Sequence, residues 1–194
     1  MNHLSYIILR LWLAVYRPES YHNASDLSEA VVQTAPRYLT KEAALLHTAA
    51  AIEASTPNFS AELLLGLAYV ESRYLPGATS RVESGHRKTG IPPWENPPEY
   101  VHGPYFCGVT QVMADMSWSK CLQLRDVKLA YKTAAKELTS WLAICKKRKE
   151  PDLLSCSLLG YGGGGPAIVL GTSTYPNRVI EMAAWIRSKR HINI

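Results

Sequence analysis

The sequence lacks the patterns that hold metals and phosphates. Its four cysteines show no C-x-x-C spacing and no nearby Cys/His cluster, which argues against a zinc site. The glycine-rich stretch 160–166 lacks the Lys-Ser/Thr pair of a phosphate-binding loop, and it lacks the strand–helix context of a dinucleotide fingerprint. We therefore predict neither a metal nor a cofactor.

Phenylalanine is scarce, with 2 residues against 11 Tyr and 5 Trp. Rings that carry a polar group therefore dominate, and they suit either a surface that handles a polar ligand or ordinary half-buried packing. Hydrophobic residues make up 47% and charged residues 19%, while the 12 Gly and 12 Pro follow no period. This composition excludes a disordered or collagen-like chain and predicts a folded domain with a hydrophobic core.

Acidic residues are in the minority, 16 against 21 Lys and Arg, which gives a net charge of +5. A basic protein is attracted to polyanions such as nucleic acid, anionic lipid or an anionic cell-wall polymer. The basic run at 146–149 ends a predicted helix, where cations complement the helix dipole. These four residues are too few for a nucleic-acid surface, so we predict no nucleic-acid partner.

The apolar stretch at the N-terminus, 4–15, is too short to span a membrane, and Arg10 interrupts it. It is a poor secretory signal, because the one basic candidate before it is His3 and no A-x-A-like cleavage site follows. An amphipathic helix fits the stretch better. We predict no membrane span, and we expect this helix to pack on the domain or on an assembly partner.

The four cysteines have partners close by in the sequence. Pairing in order, Cys107 with Cys121 and Cys145 with Cys156, closes two short loops. Each bridge would add ~3 kcal/mol on a chain-entropy estimate. The alternative is four buried thiols. If the bridges form, the protein works in an oxidising compartment.

Helical periodicity predicts a mostly helical domain. Helices are expected over about 26–36, 40–55, 60–75, 126–148 and 175–188, with Thr40, Ser60 and Asp126 as N-caps. The stretch 76–118 is rich in Pro and Gly, so it is expected to hold short strands and irregular loops that carry function. The fold class predicted is α+β, mostly helical, with a small loop/β element.

One glutamate stands in the apolar face of the helix predicted over 60–75. Stepping 100° per residue places Glu71 among Leu64, Leu67, Ala68 and Leu75; Glu62, Gly66, Tyr69 and Arg73 fall on the opposite face, which is expected to meet solvent. A buried carboxyl group favours its protonated form and can then donate a proton. The alternatives are a glutamate that reaches solvent at the edge of the stripe and an ion pair with an arginine of the core.

Four segments, in order, resemble the motifs of soluble lytic transglycosylases. ESRYLPGATS at 71–80 resembles the catalytic motif, in which a helix ends in Glu-Ser. GVTQVM at 108–113 is similar to the Gly-Leu-Met-Gln strand of the family, YGGG at 161–164 to its Ala-Tyr-Asn-Ala-Gly motif, and YPNRV at 175–179 to its closing Tyr-x-x-x-Val. The resemblance implies a lysozyme-like fold over 41–194, and residues 1–40 would be an N-terminal helical extension.

The resemblance also implies an activity, cleavage of the β-1,4 bond between N-acetylmuramic acid and N-acetylglucosamine in peptidoglycan. Glu71 would act first as acid and then as base, and the muramyl 6-hydroxyl would close a 1,6-anhydro ring. Ser80 and Gln111 would hold an N-acetyl group or a sugar hydroxyl, and Tyr161 would orient the sugar or Glu71; Gly162 and Tyr175 complete the expected substrate site.

The chain departs from the family pattern at three places. Gly162 stands where the motif has Asn, which removes an amide expected near the reacting sugar. The spacer between Ser80 and Gly108 is longer than usual, and its residues Trp94, Glu95, Glu99, Tyr100 and His102 either line a saccharide cleft or are ordinary loop residues. Residues 1–40 have no recognised counterpart.

Two other functions stay open at this point. A goose-type-like muramidase would cleave the same bond with water, assisted by a second carboxylate from Glu83, Glu95, Glu99 or Asp115. A virion or secretion-apparatus protein would use the fold without catalysis to hold glycan or partner chains. Action outside the cytoplasm, in the periplasm or at the cell wall, is expected for the enzyme.

Overall fold

The protein is mostly helical with one small sheet, in agreement with the predicted class. The computed structural model describes residues 18–34, 39–83, 86–90, 105–114, 117–171 and 173–190, with the backbone alone at 18–25, 80–83, 86–90 and 190. The helices are α1 Pro18–Thr34, α2 Lys41–Ala54, α3 Ala61–Ser72, α4 Trp118–Gln123, α5 Val127–Arg148, α6 Leu153–Leu170 and α7 Tyr175–Arg190. The strands are β1 Thr79–Glu83, β2 His86–Gly90, β3 Tyr105–Cys107 and β4 Val112–Met113.

Three helices begin where their predicted N-caps place them. The side chains of Thr40, Ser60 and Asp126 accept hydrogen bonds from backbone N–H groups three residues on, at 3.2, 3.3 and 2.7 Å. Each bond satisfies a donor that the first turn of a helix leaves without a partner. The prediction of α2, α3 and α5 is confirmed at their starts.

Helix α1 begins earlier than the predicted 26–36 and shares the core of the domain. It packs against α2 and α7, and Leu27, Ala30 and Val31 are at most 2% exposed. The amphipathic helix predicted over 4–15 lies outside the described residues.

Helix α5, predicted over 126–148, buries one face in the core. Val127, Ala130, Ala134, Leu138 and Cys145 are buried, while the basic run at 146–149 is exposed at its C-terminal end. This run therefore behaves as a solvated helix end, as predicted.

The segment predicted to hold short strands forms an antiparallel sheet in the order β2-β1-β3-β4. Thr79 pairs with Cys107 and Ser80 with Phe106, and Cys107 pairs with Val112 across the tight connection 108–111. The sheet therefore brings the segment after α3 beside the connection that contains Gln111. The predicted cleft residues at 94–102 and Asp115 lie outside the described residues, as does the side chain of Glu83.

Helix α6 was not predicted, because the sequence 160–166 reads as a glycine cluster rather than as a helix. The helix runs through this cluster and is interrupted at Gly164, whose φ of 68° and ψ of −164° are not helical. Gly160 allows a close approach between two helices, since a Cβ there would lie 2.4 Å from the ring of Trp141 on α5. The first glycine of the cluster therefore serves helix packing.

Within the described part of the chain, α6 is the one helix long and apolar enough to cross a membrane by length and composition. Buried core helices meet the same criterion, so the finding is weak evidence. The break at Gly164 leaves 11 helical residues before it, about 16 Å at 1.5 Å per residue. This is shorter than the ~30 Å hydrocarbon core of a bilayer.

Both predicted disulfides are present. Cys107 is bonded to Cys121 with their Cα atoms 5.3 Å apart, and Cys145 to Cys156 with theirs 6.0 Å apart. The first bridge joins β3 to α4, and the second joins α5 to α6. The alternative of four free thiols is wrong.

Helix α3 is buried on the side that the helical wheel assigned to solvent. Glu62 is 9% exposed, and a Cβ at Gly66 would lie 2.8 Å from the carbonyl oxygen of Val179. The prediction of a solvent face is wrong at these two positions, and α7 packs directly on Gly66. Tyr69 is half-buried, and Arg73 is exposed as expected.

A buried histidine makes the stability of this fold sensitive to acid. His47 is 1% exposed, its Nδ1 lies 3.3 Å from the hydroxyl of Tyr131, and its ring packs on Tyr74. Burial lowers the pKa of His47 from 6.5 to about 4. The native state therefore holds the neutral ring, and stability is lost as pH falls from 6.5 towards 4.

We predict that His47→Gln removes part of this acid sensitivity. Gln keeps a hydrogen-bonding side chain but has no proton to gain. The free energy of unfolding, measured with urea at pH 7 and pH 4.5, should show a wild-type advantage at pH 7 that shrinks by about 2–3 kcal/mol at pH 4.5. An advantage of equal size at both pH values would contradict the burial argument.

Candidate active site

Glu71 lies in the last turn of α3, and its carboxylate is held by the first residue of α7. The side chain is half-buried, and Oε1 accepts a hydrogen bond from the hydroxyl of Tyr175. Two residues 104 positions apart in the sequence are thus in direct contact. The contact fixes the carboxyl group relative to both helices.

The chain leaves α3 through two residues in the left-handed region. Arg73 has φ 57° and Tyr74 φ 64°, which is rare for residues other than glycine and a genuine outlier for a bulky side chain. Tyr74 is 1% exposed, and its ring centroid lies 5.9 Å from that of Tyr69 and 5.3 Å from that of His47. This packing compensates the backbone strain and fixes the end of the helix that carries Glu71.

The connection 108–111, which we call the clamped turn, has three consecutive carbonyl groups held by side chains. Val109 O accepts from Ser72 Oγ at 2.6 Å, and Thr110 O accepts from Tyr161 OH at 2.7 Å. Gly108 O accepts from Gln111 Nε2 at 3.0 Å. Ser72 follows Glu71 in the chain, so α3, α6 and the turn meet at this point.

The clamped turn depends on glycine at its first position. Gly108 has φ 75°, and a Cβ there would lie 2.1 Å from the carbonyl oxygen of Leu124. Gln111 at the other end has φ 52°, is 4% exposed, and also donates from Nε2 to Ala78 O at 2.9 Å. The Gln111 side chain therefore ties the turn to the segment that enters β1.

Gly162 provides the space in which Tyr175 reaches Glu71. A Cβ at Gly162 would lie 2.8 Å from two carbon atoms of the Tyr175 ring, closer than carbon atoms pack. A side chain at this position would displace the ring. Glycine is therefore compatible with the Glu71–Tyr175 contact, whereas the Asn of the motif that this segment resembles would meet the ring.

The structure places five of the six residues predicted for catalysis and substrate binding in two groups that Ser72, the neighbour of Glu71, connects through its bond to Val109 O. Glu71, Tyr175 and Gly162 are in one contact group, whereas Tyr161 and Gln111 are buried and hold the clamped turn. Ser80 pairs through its backbone with Thr89 and Phe106, and its side chain is not described. The amide of Gln111 and the hydroxyl of Tyr161 each bond to backbone carbonyl groups.

Sequence reasoning missed the structural parts played by Ser72 and Tyr74. Both belong to the quoted motif, but neither received a role. A serine at the end of a helix signals backbone hydrogen bonding, whereas nothing in the sequence indicates the left-handed conformation of a tyrosine.

No metal centre accompanies this site in the part of the chain that the structure describes, where no group of three or more His, Cys, Asp or Glu residues is placed to hold an ion. Comparisons of the chain with known protein families, with curated proteins and with solved structures return no match. The case for a function therefore depends on the site itself.

We predict that Gly162→Ala lowers the free energy of unfolding by about 1–3 kcal/mol, because the new methyl group overpacks against Tyr175. In an unobstructed helix, Gly→Ala raises the free energy of unfolding by about 1 kcal/mol. A lower value for this variant would therefore indicate the contact with the Tyr175 ring. Urea unfolding of the purified variant is the measurement.

Gly165→Ala is the control, since no atom outside the adjoining residues lies within 4 Å of a Cβ at that position. It should change the free energy of unfolding by less than Gly162→Ala does. Equal effects of the two substitutions would mean that the ring of Tyr175 does not occupy the space beside Gly162.

Proposed function

We propose that the protein is a peptidoglycan lytic transglycosylase that cleaves the β-1,4 bond between N-acetylmuramic acid and N-acetylglucosamine and leaves a 1,6-anhydro muramyl end. The observation that carries the proposal is the convergence of the four motif segments on Glu71. Tyr175 bonds to its carboxylate, Ser72 and Tyr161 bond to consecutive carbonyls of the clamped turn, and Gly162 admits the Tyr175 ring.

One carboxyl group is sufficient for the proposed reaction. Glu71 in its protonated form donates the proton to the glycosidic oxygen as the bond to the muramyl C1 breaks. The carboxylate then takes the proton from the muramyl 6-hydroxyl as that oxygen bonds to C1. The two transfers balance, because the residue ends protonated as it began, and no water is consumed.

Tyr175 acts as a positioning residue in this scheme. Its hydroxyl donates to Oε1, which restricts rotation of the carboxyl group in both protonation states. An oriented acid is worth more than a mobile one, because reacting atoms must meet within a narrow range of geometry.

Gln111 and Tyr161 are assigned to the support of the site. The resemblance implies a sugar contact for each, yet their polar atoms engage the clamped turn and Ala78. We infer that they fix the backbone beside Glu71, and we keep for Ser80 the sugar contact that the resemblance implies.

The two disulfides support action outside the cytoplasm, because such bonds persist in oxidising compartments. We propose the peptidoglycan glycan strand as the partner there, with a phage particle or a secretion apparatus as the setting in which the N-terminal stretch 4–15 assists assembly. The net charge of +5 favours approach to an anionic wall.

We predict that Glu71→Gln abolishes lysis. Gln keeps the volume and accepts the Tyr175 hydrogen bond, so the fold should survive, but an amide cannot perform either proton transfer. General acid–base catalysis contributes about 10²–10⁴-fold, and the rate of turbidity loss on purified cell walls should fall by at least that factor.

Glu42→Gln is the control, since Glu42 is exposed in the first turn of α2. Glu62 is unsuitable for this purpose because it is 9% exposed. Lysis at the wild-type rate by the Glu71→Gln protein would remove the enzymatic interpretation and favour a glycan-holding structural role.

A further inference from the structure

A mixed polar and aromatic groove lies beside the Glu71 helix, between the C-terminal ends of α1 and α3 and one face of α7. Its volume is about 540 Å³, within the range of pockets that hold a ligand of small-molecule size. The residues that the argument uses are Tyr69, Val70, Arg73, Arg178, Glu181 and Trp185.

The groove is positively charged. Among the described residues that line it, two are cationic, Arg73 and Arg178, and one is anionic, Glu181. The guanidinium carbon of Arg73 lies 4.0 Å from the ring centroid of Tyr69, and Lys189 Nζ lies 5.3 Å from that of Trp185. Cations therefore stand over both aromatic walls.

Arg178 is the residue best placed to bind an anion. It is exposed, and it forms no ion pair with any residue that the structure describes, although Glu181 is one turn away on α7. A guanidinium group binds carboxylates through two parallel hydrogen bonds. The side chain of Arg178 can therefore bind the carboxylate of a ligand in the groove.

The groove adjoins the candidate active site on two elements. Val70, which lines it, precedes Glu71 on α3, and Arg178 follows Tyr175 on α7 by three residues, about 4.5 Å along the helix axis at 1.5 Å per residue. One ligand of a few residues can therefore reach from the Glu71–Tyr175 contact to Arg178.

We propose that this groove binds the carboxylate-bearing peptide attached to the muramyl sugars of peptidoglycan. The inference rests on the proposed function, which places a muramyl sugar at Glu71. Arg178 receives a peptide carboxylate, and the rings of Tyr69 and Trp185 contact the aliphatic part of the peptide. The enzyme then discriminates peptide-bearing from bare glycan.

Titration calorimetry with a soluble probe tests the groove independently of catalysis. The probe is an N-acetylmuramyl dipeptide with a free carboxylate, compared with the same compound with that carboxylate amidated. The wild type should bind the acid about tenfold more tightly, as expected for one charge-assisted contact. Arg178→Gln should bring the ratio of the two dissociation constants to about one.

Arg187→Gln is the control, because Arg187 is exposed on the same helix and does not line the groove; it should keep the tenfold ratio. Equal wild-type affinity for the two probes, or equal behaviour of the two Arg variants, would overturn the groove assignment.

Wall lysis by the wild type separates the two proposals. Lysis without carboxylate-dependent binding overturns the groove alone. Carboxylate-dependent binding through Arg178 without lysis overturns the catalytic proposal and supports the groove as a muramyl-peptide site.

Discussion

The structure around Glu71 depends on which side chains donate hydrogen bonds to the buried carbonyl groups of the clamped turn. Buried carbonyl groups need hydrogen-bond donors, and leaving one without a donor costs about 1–3 kcal/mol. Val109 O and Thr110 O receive theirs from Ser72 and Tyr161, and the hydroxyl of Thr110 donates to Ala130 O on α5 at 3.2 Å. Three helices are therefore joined through one four-residue connection.

The hydrogen bonds to the carbonyl groups of the clamped turn also fix the position of Glu71, the candidate catalytic residue. Ser72 adjoins Glu71, and Tyr161 adjoins Gly162, so each donor fixes the neighbour that matters for chemistry. The left-handed conformations of Tyr74 and Gln111 and the absence of a side chain at Gly162 add constraints that a merely stable fold does not need. Strain and close approach concentrated at one place are typical of functional sites.

The features that could be predicted from the sequence are those formed by residues that are close together along the chain. The caps at Thr40, Ser60 and Asp126 follow from residues three positions apart, and the two disulfides join cysteines only 14 and 11 positions apart. The motif resemblance selected Glu71 together with its neighbours in space. Helix α6 was not predicted because glycine lowers helix propensity. Two of its glycines are required by tertiary contacts with Trp141 and Tyr175, which a sequence does not reveal. The burial of the second face of α3 at Gly66 was not predicted, because a helical wheel does not show that α7 packs there.

The measurement that tests the central claim most directly is the mass of the muropeptides released from purified peptidoglycan by the wild-type protein. Attack by the muramyl 6-hydroxyl consumes no water, so the new muramyl ends should be lighter by one water molecule than those left by a hydrolase. Products with the mass of hydrolysed ends would contradict the single-carboxyl mechanism and indicate a muramidase with a second carboxylate.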